Sequence, residues 1–383
     1  MSTEWSVDGK HVPLTQEGPV NRKTTSIIRL LAVVLGLSLI ATACGDSGSS
    51  STPASGNSGD AATEAGLPSL TLNGSGATFP AAFYEEVLAT FNSDNSGVTI
   101  NYNPVGSGQG QSDLAGKLTD FAGSDSLVKD KDKGNYEGGF LYIPTVAAPI
   151  TVSYNLKGID SLQLSPEVLA GILQADITSW DDAAIAADNP GLTLPSTDIT
   201  VVHRSDGSGT TANFTHYLDL AAPSMWKLGT DKTIDWPSGT IGAAKNSGVA
   251  DAIGSTDGAI GYVDFADARA TGLTCAAIKN KDGKYVAASL EASSAALDGA
   301  EVAADLTYNP LNAAGTGSYP IVAPTYILTY TSYTDADTVT VLKAMLKYLL
   351  GPAQDQANAL DFAKLPASLR EKALAQVDSI AVG

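Results

Sequence analysis

Arg204, Asp206, Ser208 and Thr210 alternate along one short stretch, His203-Arg204-Ser205-Asp206-Gly207-Ser208-Gly209-Thr210-Thr211. A guanidinium presents its donors as a planar fork that suits phosphate or carboxylate. Ser208 and Thr210 add hydroxyls. A short apolar strand, Ile199 to Val202, precedes the stretch, and a helix-like run, Ala212 to Leu220, follows it. A Gly/Ser/Thr turn at a helix start leaves N–H groups without intrahelical partners, at the positive end of the helix dipole. The chemistry implied is capture of an anion. Asp206 is the one group there that would repel it.

Other chemistries fit poorly. Ser208, His203 and Asp206 are too close in sequence to converge as a nucleophile, base and orienting acid, and no G-x-S-x-G elbow is present. Asp206-Gly207-Ser208-Gly209 resembles a calcium loop only faintly: aligned on Gly207, it puts Val202 at the first ligand position and Asn213 where the bidentate Glu belongs. His203 and His216 are the only histidines beyond the N-terminal segment, and there is no cysteine pair, so a zinc site is not expected. Gly74-Ser75-Gly76 and Gly106-Ser107-Gly108 fail the dinucleotide fingerprint at its last glycine, and no Walker lysine follows either. No cofactor and no metal are expected.

The chain carries a net charge of −19, which argues against nucleic acid as a partner. Beyond the N-terminal segment its only arginines are Arg204, Arg269 and Arg370, so Arg204 is the leading cation for an anion site. Residues 1–43 read as a polar preface and an export signal. Arg22, Lys23 and Arg29 supply the positive region, and the apolar run Leu30 to Ile40 is short for a membrane span. The signal ends Ala41-Thr42-Ala43-Cys44, similar to a bacterial lipobox in which the cysteine is diacylglycerylated, with Ala41 where Leu is usual. Residues 44–68, rich in Gly, Ser, Ala and Thr, read as a flexible tether. With Cys44 lipidated, Cys275 has no intrachain partner.

From Leu70 onward strands alternate with helices, which predicts an α/β fold with ligand loops beyond the carboxyl ends of the strands. Strands are expected at Ser69 to Leu72, Val98 to Tyr102 and Phe121 to Gly123, each followed by a Gly/Ser-rich loop. Phe83, Val87, Leu88 and Phe91 sit at helical spacing; a second short helix would bury Leu114 and Leu118. Phe140 to Tyr154 and Tyr319 to Tyr330 read as two crossovers between two lobes. The expected lobes are 69–150 with 322–383, and 151–321. Thr334 is expected to cap a C-terminal helix that Gly351-Pro352 ends.

Taken together, Ser75-Gly76-Ala77-Thr78-Phe79-Pro80, Gly106-Ser107-Gly108, Gly123-Ser124-Asp125, Arg204-Ser205-Asp206-Gly207-Ser208-Gly209-Thr210 and Gly258-Ala259-Ile260-Gly261-Tyr262 occur in the order found in one family. The chain resembles the periplasmic-type phosphate-binding proteins of phosphate ABC importers, from about Leu70 to its end. Trp180-Asp181-Asp182, Asn189-Pro190-Gly191-Leu192 and Leu365-Pro366 fit the same pattern. The resemblance implies a two-lobed periplasmic-binding-protein fold, type II-like, with two crossover strands and a central ligand cleft. It implies that Ala77, Thr78 and Phe79 offer backbone and hydroxyl donors, and that Ser107 offers a hydroxyl and N–H. Asp125 would accept a hydrogen bond from phosphate, Arg204 would hold an oxygen pair, and Asp206 would fix Arg204. Ser208, Gly209 and Thr210 would complete the cradle. The implied protein is a monomeric binding protein and no enzyme, lipid-anchored by Cys44 outside the cytoplasmic membrane. Its partners would be inorganic phosphate and the importer's permease subunits with their ATPase. A binding protein for sulfate or molybdate, a secreted phosphoester hydrolase and a surface adhesin are the alternatives.

Overall fold

A computed structural model describes residues 66–383. The expected export signal, Cys44 and most of the expected tether lie outside the described residues. The chain begins with β1 (Leu70–Gly76), α1 (Ala81–Asp94), β2 (Val98–Pro104), α2 (Ser107–Ala115) and β3 (Phe121–Ser124). The long strand β4 (Phe140–Asn155) follows, then β5 (Gln163–Leu164), α3 (Pro166–Leu173), α4 (Ala183–Asp188) and β6 (Thr200–Arg204). Next come α5 (Gly209–Ala221), β7 (Ile241–Ala243), α6 (Lys245–Ser255), β8 (Ala259–Asp264) and α7 (Phe265–Ala270). The short strands β9 (Thr274–Cys275), β10 (Ala277–Lys279) and β11 (Tyr285–Val286) precede α8 (Leu290–Leu297). The chain closes with β12 (Val322–Tyr330), β13 (Ser332–Tyr333), α9 (Ala336–Leu350), α10 (Ala367–Asp378) and β14 (Ala381–Val382).

The main sheet runs β2-β1-β3-β12-β4-β8-β6-β7, with β9 paired to β4. β1 lies parallel to β2 and β3, and β6 lies parallel to β7 and β8. β12 and β4 are antiparallel insertions between these two parallel groups. β4 belongs to both groups. Its residues Phe140 to Pro149 pair with β12, and Ile150 to Asn155 pair with β8. Nearly all of it is buried, as a run dominated by apolar, β-branched and aromatic residues with no charged side chain requires. Its prolines sit where a ladder donor is dispensable. Pro144 lies beside the register shift at Thr325/Tyr326, and Pro149 is the last residue to face β12. The second crossing is irregular: β12 starts at Val322, not Tyr319, and Ile321 enters by accepting the Ile150 N–H at 2.8 Å. The architecture is a two-lobed α/β fold.

Apolar spacing positions α1 through Phe83, Val87, Leu88 and Phe91, all buried. α2 stops at Ala115, so Leu118 does not join its buried face; it is 75% exposed. α9 is capped by Asp335, whose carboxylate accepts the Thr338 N–H at 2.9 Å, and not by Thr334. α5 begins three residues before the expected Ala212. The Ser208 hydroxyl oxygen accepts the Thr211 N–H and its carbonyl the Ala212 N–H, both at 3.1 Å. Gly209, Thr210 and Thr211 therefore form a helical first turn, fixing the direction in which its free N–H groups point.

Candidate functional site

The carboxyl ends of β1, β2, β3 and β6 deliver the predicted residues to one place. β1 runs into Ala77, Thr78 and Phe79, all buried. The Ala77 N–H donates to the Gly123 carbonyl at 2.9 Å, and its own carbonyl accepts the Tyr102 hydroxyl at 2.8 Å. This corrects the expectation for Ala77: its backbone is spent holding the loop to β3 and β2. The N–H groups of Thr78 and Phe79, next in line, have no acceptor among the described residues.

β2 leads through Gly106 into α2, whose first residue is Ser107. Gly106 has φ +101°, and a β-carbon there would stand 2.6 Å from Asp206 Oδ2, so the position needs glycine on both counts. The Gly108 N–H donates to the Gly207 carbonyl at 2.8 Å, which joins α2 to the stretch after β6. β3 ends at Ser124, beside Asp125, which is buried. The Ser107 hydroxyl donates to Asp125 Oδ2 at 3.3 Å, and the Asp125 N–H returns a bond to the Ser107 oxygen at 3.1 Å. Thr325 of β12 donates to Asp125 Oδ1 at 2.7 Å.

Arg204, the last residue of β6, is buried and held on two sides. Its Nε and Nη2 donate to Asp206 Oδ1 and Oδ2 at 2.7 and 2.5 Å, and its Nη1 donates to Asn246 Oδ1 at 3.2 Å. Two of its five N–H donors remain for a ligand. Asp206 also accepts the Lys245 N–H at 3.1 Å. At the start of α5, the Ser208 N–H is already bonded to the Lys232 carbonyl at 3.0 Å, leaving its hydroxyl proton to donate. Gly209 and Thr210 N–H are free first-turn donors. Asn246 Nδ2 donates to Thr78 Oγ1 at 3.3 Å and Thr210 Oγ1 at 3.2 Å.

The electrostatics follow from burial. Burial pushes the Asp125 carboxyl up to about 7, against the bond from Thr325, the charge of Arg204 and the bond from Ser107, which pull it down. Burial also raises Asp206, but its bonds to Arg204, the charge of Arg204 and the Lys245 N–H outweigh that, and its carboxyl settles below the usual range. The site thus pairs its one arginine with a firmly ionised carboxylate and faces the pair with donors. A single second carboxylate, Asp125, titrates near neutrality. This suits an oxyanion that accepts many hydrogen bonds and donates one.

A catalytic use of the same residues is not assembled. The His203 ring nitrogens bond the Arg204 carbonyl and the Thr240 hydroxyl, each at 3.0 Å, and its ring stacks on Trp236. Ser208 Oγ caps α5, and no hydrogen bond joins it to His203. Among the described residues no cluster of His, Cys, Asp or Glu is placed to hold a metal.

Sequence reasoning missed Asn246, Thr325 and Tyr262. Tyr262 accepts the Arg204 N–H at 3.2 Å and shares a 2.7 Å hydrogen bond with Thr211. Asn246 lies just inside α6, after Lys245 at φ +65°, and no local motif marks it. Thr325 sits within an apolar strand, where a lone threonine reads as β-branched filler. Tyr262 stood in a recognised motif, but nothing in that motif gave its hydroxyl a task.

The chain is similar to known proteins along most of its length. A family profile described as a PBP superfamily domain matches residues 48–352. The phosphate-binding protein PstS 3 of Mycobacterium leprae is 35% identical over 322 residues, covering 81% of this chain and 87% of that protein. The phosphate-binding protein PstS 2 of Mycobacterium tuberculosis is 33% identical over 358 residues, covering 89% and 95%. Among solved structures, a phosphate-binding protein from Stenotrophomonas maltophilia superposes with a TM-score of 0.66 over 82% of this chain and 96% of that one, at 23% identity, which speaks to the fold. With fold, loop order and sequence in agreement, the chain belongs to the PBP superfamily and, within it, to the PstS phosphate-binding proteins.

Proposed function

We propose that this protein binds inorganic phosphate in the cleft and delivers it to an ABC importer, without covalent chemistry. One observation carries the reading: a single buried carboxylate, Asp125, stands among a set of donors. Monohydrogen phosphate has one proton to give and oxygens that accept many bonds. The donors assigned to it are the N–H groups of Thr78, Phe79, Ser107, Gly209 and Thr210, the hydroxyls of Thr78, Ser208 and Thr210, and the Arg204 fork. Asp206 holds Arg204, and the Asp125 carboxylate accepts the hydrogen bond that the ligand's own proton donates. A fully deprotonated oxyanion such as sulfate would meet an unrelieved carboxylate there. Bonds to charged groups contribute about 1.5–3 kcal/mol each, enough together for micromolar or tighter binding after ordering costs.

We assign residues 69–150 with 322–383 to one lobe and 151–321 to the other, because β4 exchanges partners at Pro149 and Ile150. Thr78, Ser107 and Asp125 come from the first lobe, and Arg204 to Thr210 from the second, so a ligand bound by both sets favours the closed arrangement. The protein acts as a monomer on the outer face of the cytoplasmic membrane, anchored through lipidated Cys44. Titration calorimetry with phosphate and with sulfate at pH 8 tests the reading. Phosphate affinity far above sulfate affinity supports it; equal affinities overturn it.

A further inference from the structure

The geometry points to Asn246 as a positioning residue that fixes the polarity of the threonine hydroxyls lining the cleft. This rests on the phosphate reading above and extends it to a residue outside the proposed ligand set. Asn246 is fully buried. Its amide contacts three groups: Arg204 Nη1 at 3.2 Å, Thr210 Oγ1 at 3.2 Å and Thr78 Oγ1 at 3.3 Å. A guanidinium has no acceptor, so only the amide oxygen can face Arg204. The amide nitrogen must then face the two threonines. An NH₂ group only donates, so both hydroxyl oxygens serve as its acceptors. Each hydroxyl has one proton, and neither proton has another partner among the described residues. Both are left to point at the ligand.

The order therefore propagates outward from one charge. Arg204 orients the amide, and the amide makes Thr78 and Thr210 donors. A threonine free to rotate would accept as readily as it donates, and would present a lone pair to an anion part of the time. Two features hold Asn246 in place. Asp206 accepts the backbone N–H of the preceding residue, Lys245, at 3.1 Å. Lys245 itself adopts φ +65°, a left-handed conformation that turns the chain into α6 and that a non-glycine residue adopts only when its surroundings hold it there. The carboxylate that clamps Arg204 thus also anchors the residue that reads its orientation. Because Thr78 follows β1 and Thr210 lies in the first turn of α5, Asn246 further links the two halves of the cleft.

Calorimetric titration of phosphate into Asn246→Ala, Asn246→Asp, Thr78→Val/Thr210→Val and the triple variant Thr78→Val/Thr210→Val/Asn246→Ala tests this. Asn246→Ala is expected to weaken phosphate about tenfold. Asn246→Asp keeps the size but turns a donor into an acceptor, reversing both hydroxyls, and is expected to weaken phosphate more than Asn246→Ala does. Without the two hydroxyls, adding Asn246→Ala is expected to change affinity less than twofold, because its route of action is gone. Thermal melting without phosphate checks that each variant folds, and should Asn246→Ala melt early, the near-isosteric Asn246→Asp carries the comparison. Asn246→Ala within twofold of the parent, Asn246→Asp binding like the parent, or an undiminished penalty in the triple variant overturns the inference while the phosphate reading stands. A parent chain that does not bind phosphate overturns both.

Discussion

Gly209 and Asp125 approach so closely that a β-carbon on Gly209 would stand 2.7 Å from the Asp125 β-carbon, and closer still to the Ser107 hydroxyl. Real β-carbons do not approach so closely, and the neighbours on this side are the two residues that exchange bonds around the Asp125 carboxyl. Gly209→Ala should therefore hold the cleft ajar. Alanine is a good first-turn residue, so α5 itself should form normally. Phosphate affinity is expected to fall at least tenfold, while the melting temperature without ligand changes little. Small-angle scattering with saturating phosphate should show the variant more extended than the parent. An unchanged affinity would mean the neighbours yield.

Asp125 sets a pH dependence with a definite sign. Its carboxyl is raised from 3.8 to about 7, so the folded protein holds that proton more tightly than the unfolded chain does. The group's contribution to stability falls as pH rises from about 4 through 7, and the penalty is complete above that. Asp125→Asn should then stabilise the ligand-free protein at pH 8, with the gain shrinking toward pH 5. Discrimination runs the other way. Above about pH 7 the carboxylate is expected to repel sulfate, and below it the protonated acid is expected to donate to it. The phosphate/sulfate affinity ratio should drop between pH 8 and pH 5.5 in the parent and be low at both in Asp125→Asn. Calorimetry at the two pH values, corrected for the phosphate's own titration, checks both statements.

Arg204 and Asp206 act as a unit. Arg204→Ala removes the main cation of the site and is expected to weaken phosphate by at least tenfold. Asp206→Asn keeps the shape but withdraws the charge that clamps Nε and Nη2. It leaves a freer guanidinium whose extra positive charge attracts the anion while its aim is lost. Affinity is expected to fall less than for Arg204→Ala. In the Arg204→Ala background, Asp206→Asn should raise affinity, because the unpaired carboxylate repels the anion while the amide oxygen that replaces it can still accept the Lys245 N–H. A double-mutant cycle by calorimetry reads the coupling.

Cys44→Ser should release the protein from membranes into the soluble fraction of cells expressing the full chain, with phosphate affinity unchanged. Fractionation and immunoblotting check it. Continued retention in the membrane fraction would indicate a different anchor.

The order of the first elements was legible because β1, β2 and β3 are short runs, each followed by a Gly/Ser-bearing loop, and most of the expected site residues lie in those loops or after β6. Two kinds of feature were not. Boundaries set by capping competition were off: Asp335 caps α9 where Thr334 was expected, and Ser208 starts α5 before the apolar run begins. Both residue types cap well, so local chemistry alone does not choose between neighbours. Supporting groups from distant chain segments were invisible as well. Thr325 reaches Asp125 across 200 residues of sequence, and Asn246 reaches Thr78 across 168. Ala77 shows the converse error. Its place in the loop suggested a donor, but whether a backbone N–H is free depends on the carbonyl opposite, here Gly123.

The partner exchange along β4 also governs how the chain can be assembled. β3 and the first half of β4 are made early, yet they become neighbours only through β12, which arrives nearly half the chain after that half of β4. Until then both present an unpaired edge of apolar strand, the kind of edge that invites pairing with another molecule. The second half of β4 has its partner β8 sooner, so the inserted lobe can finish while the first lobe is still open along its middle. Contacts of such long sequence separation are slow to close. The chain therefore emerges in an order that completes the arginine-bearing jaw first, and the half that supplies Asp125 is the one exposed longest to aggregation.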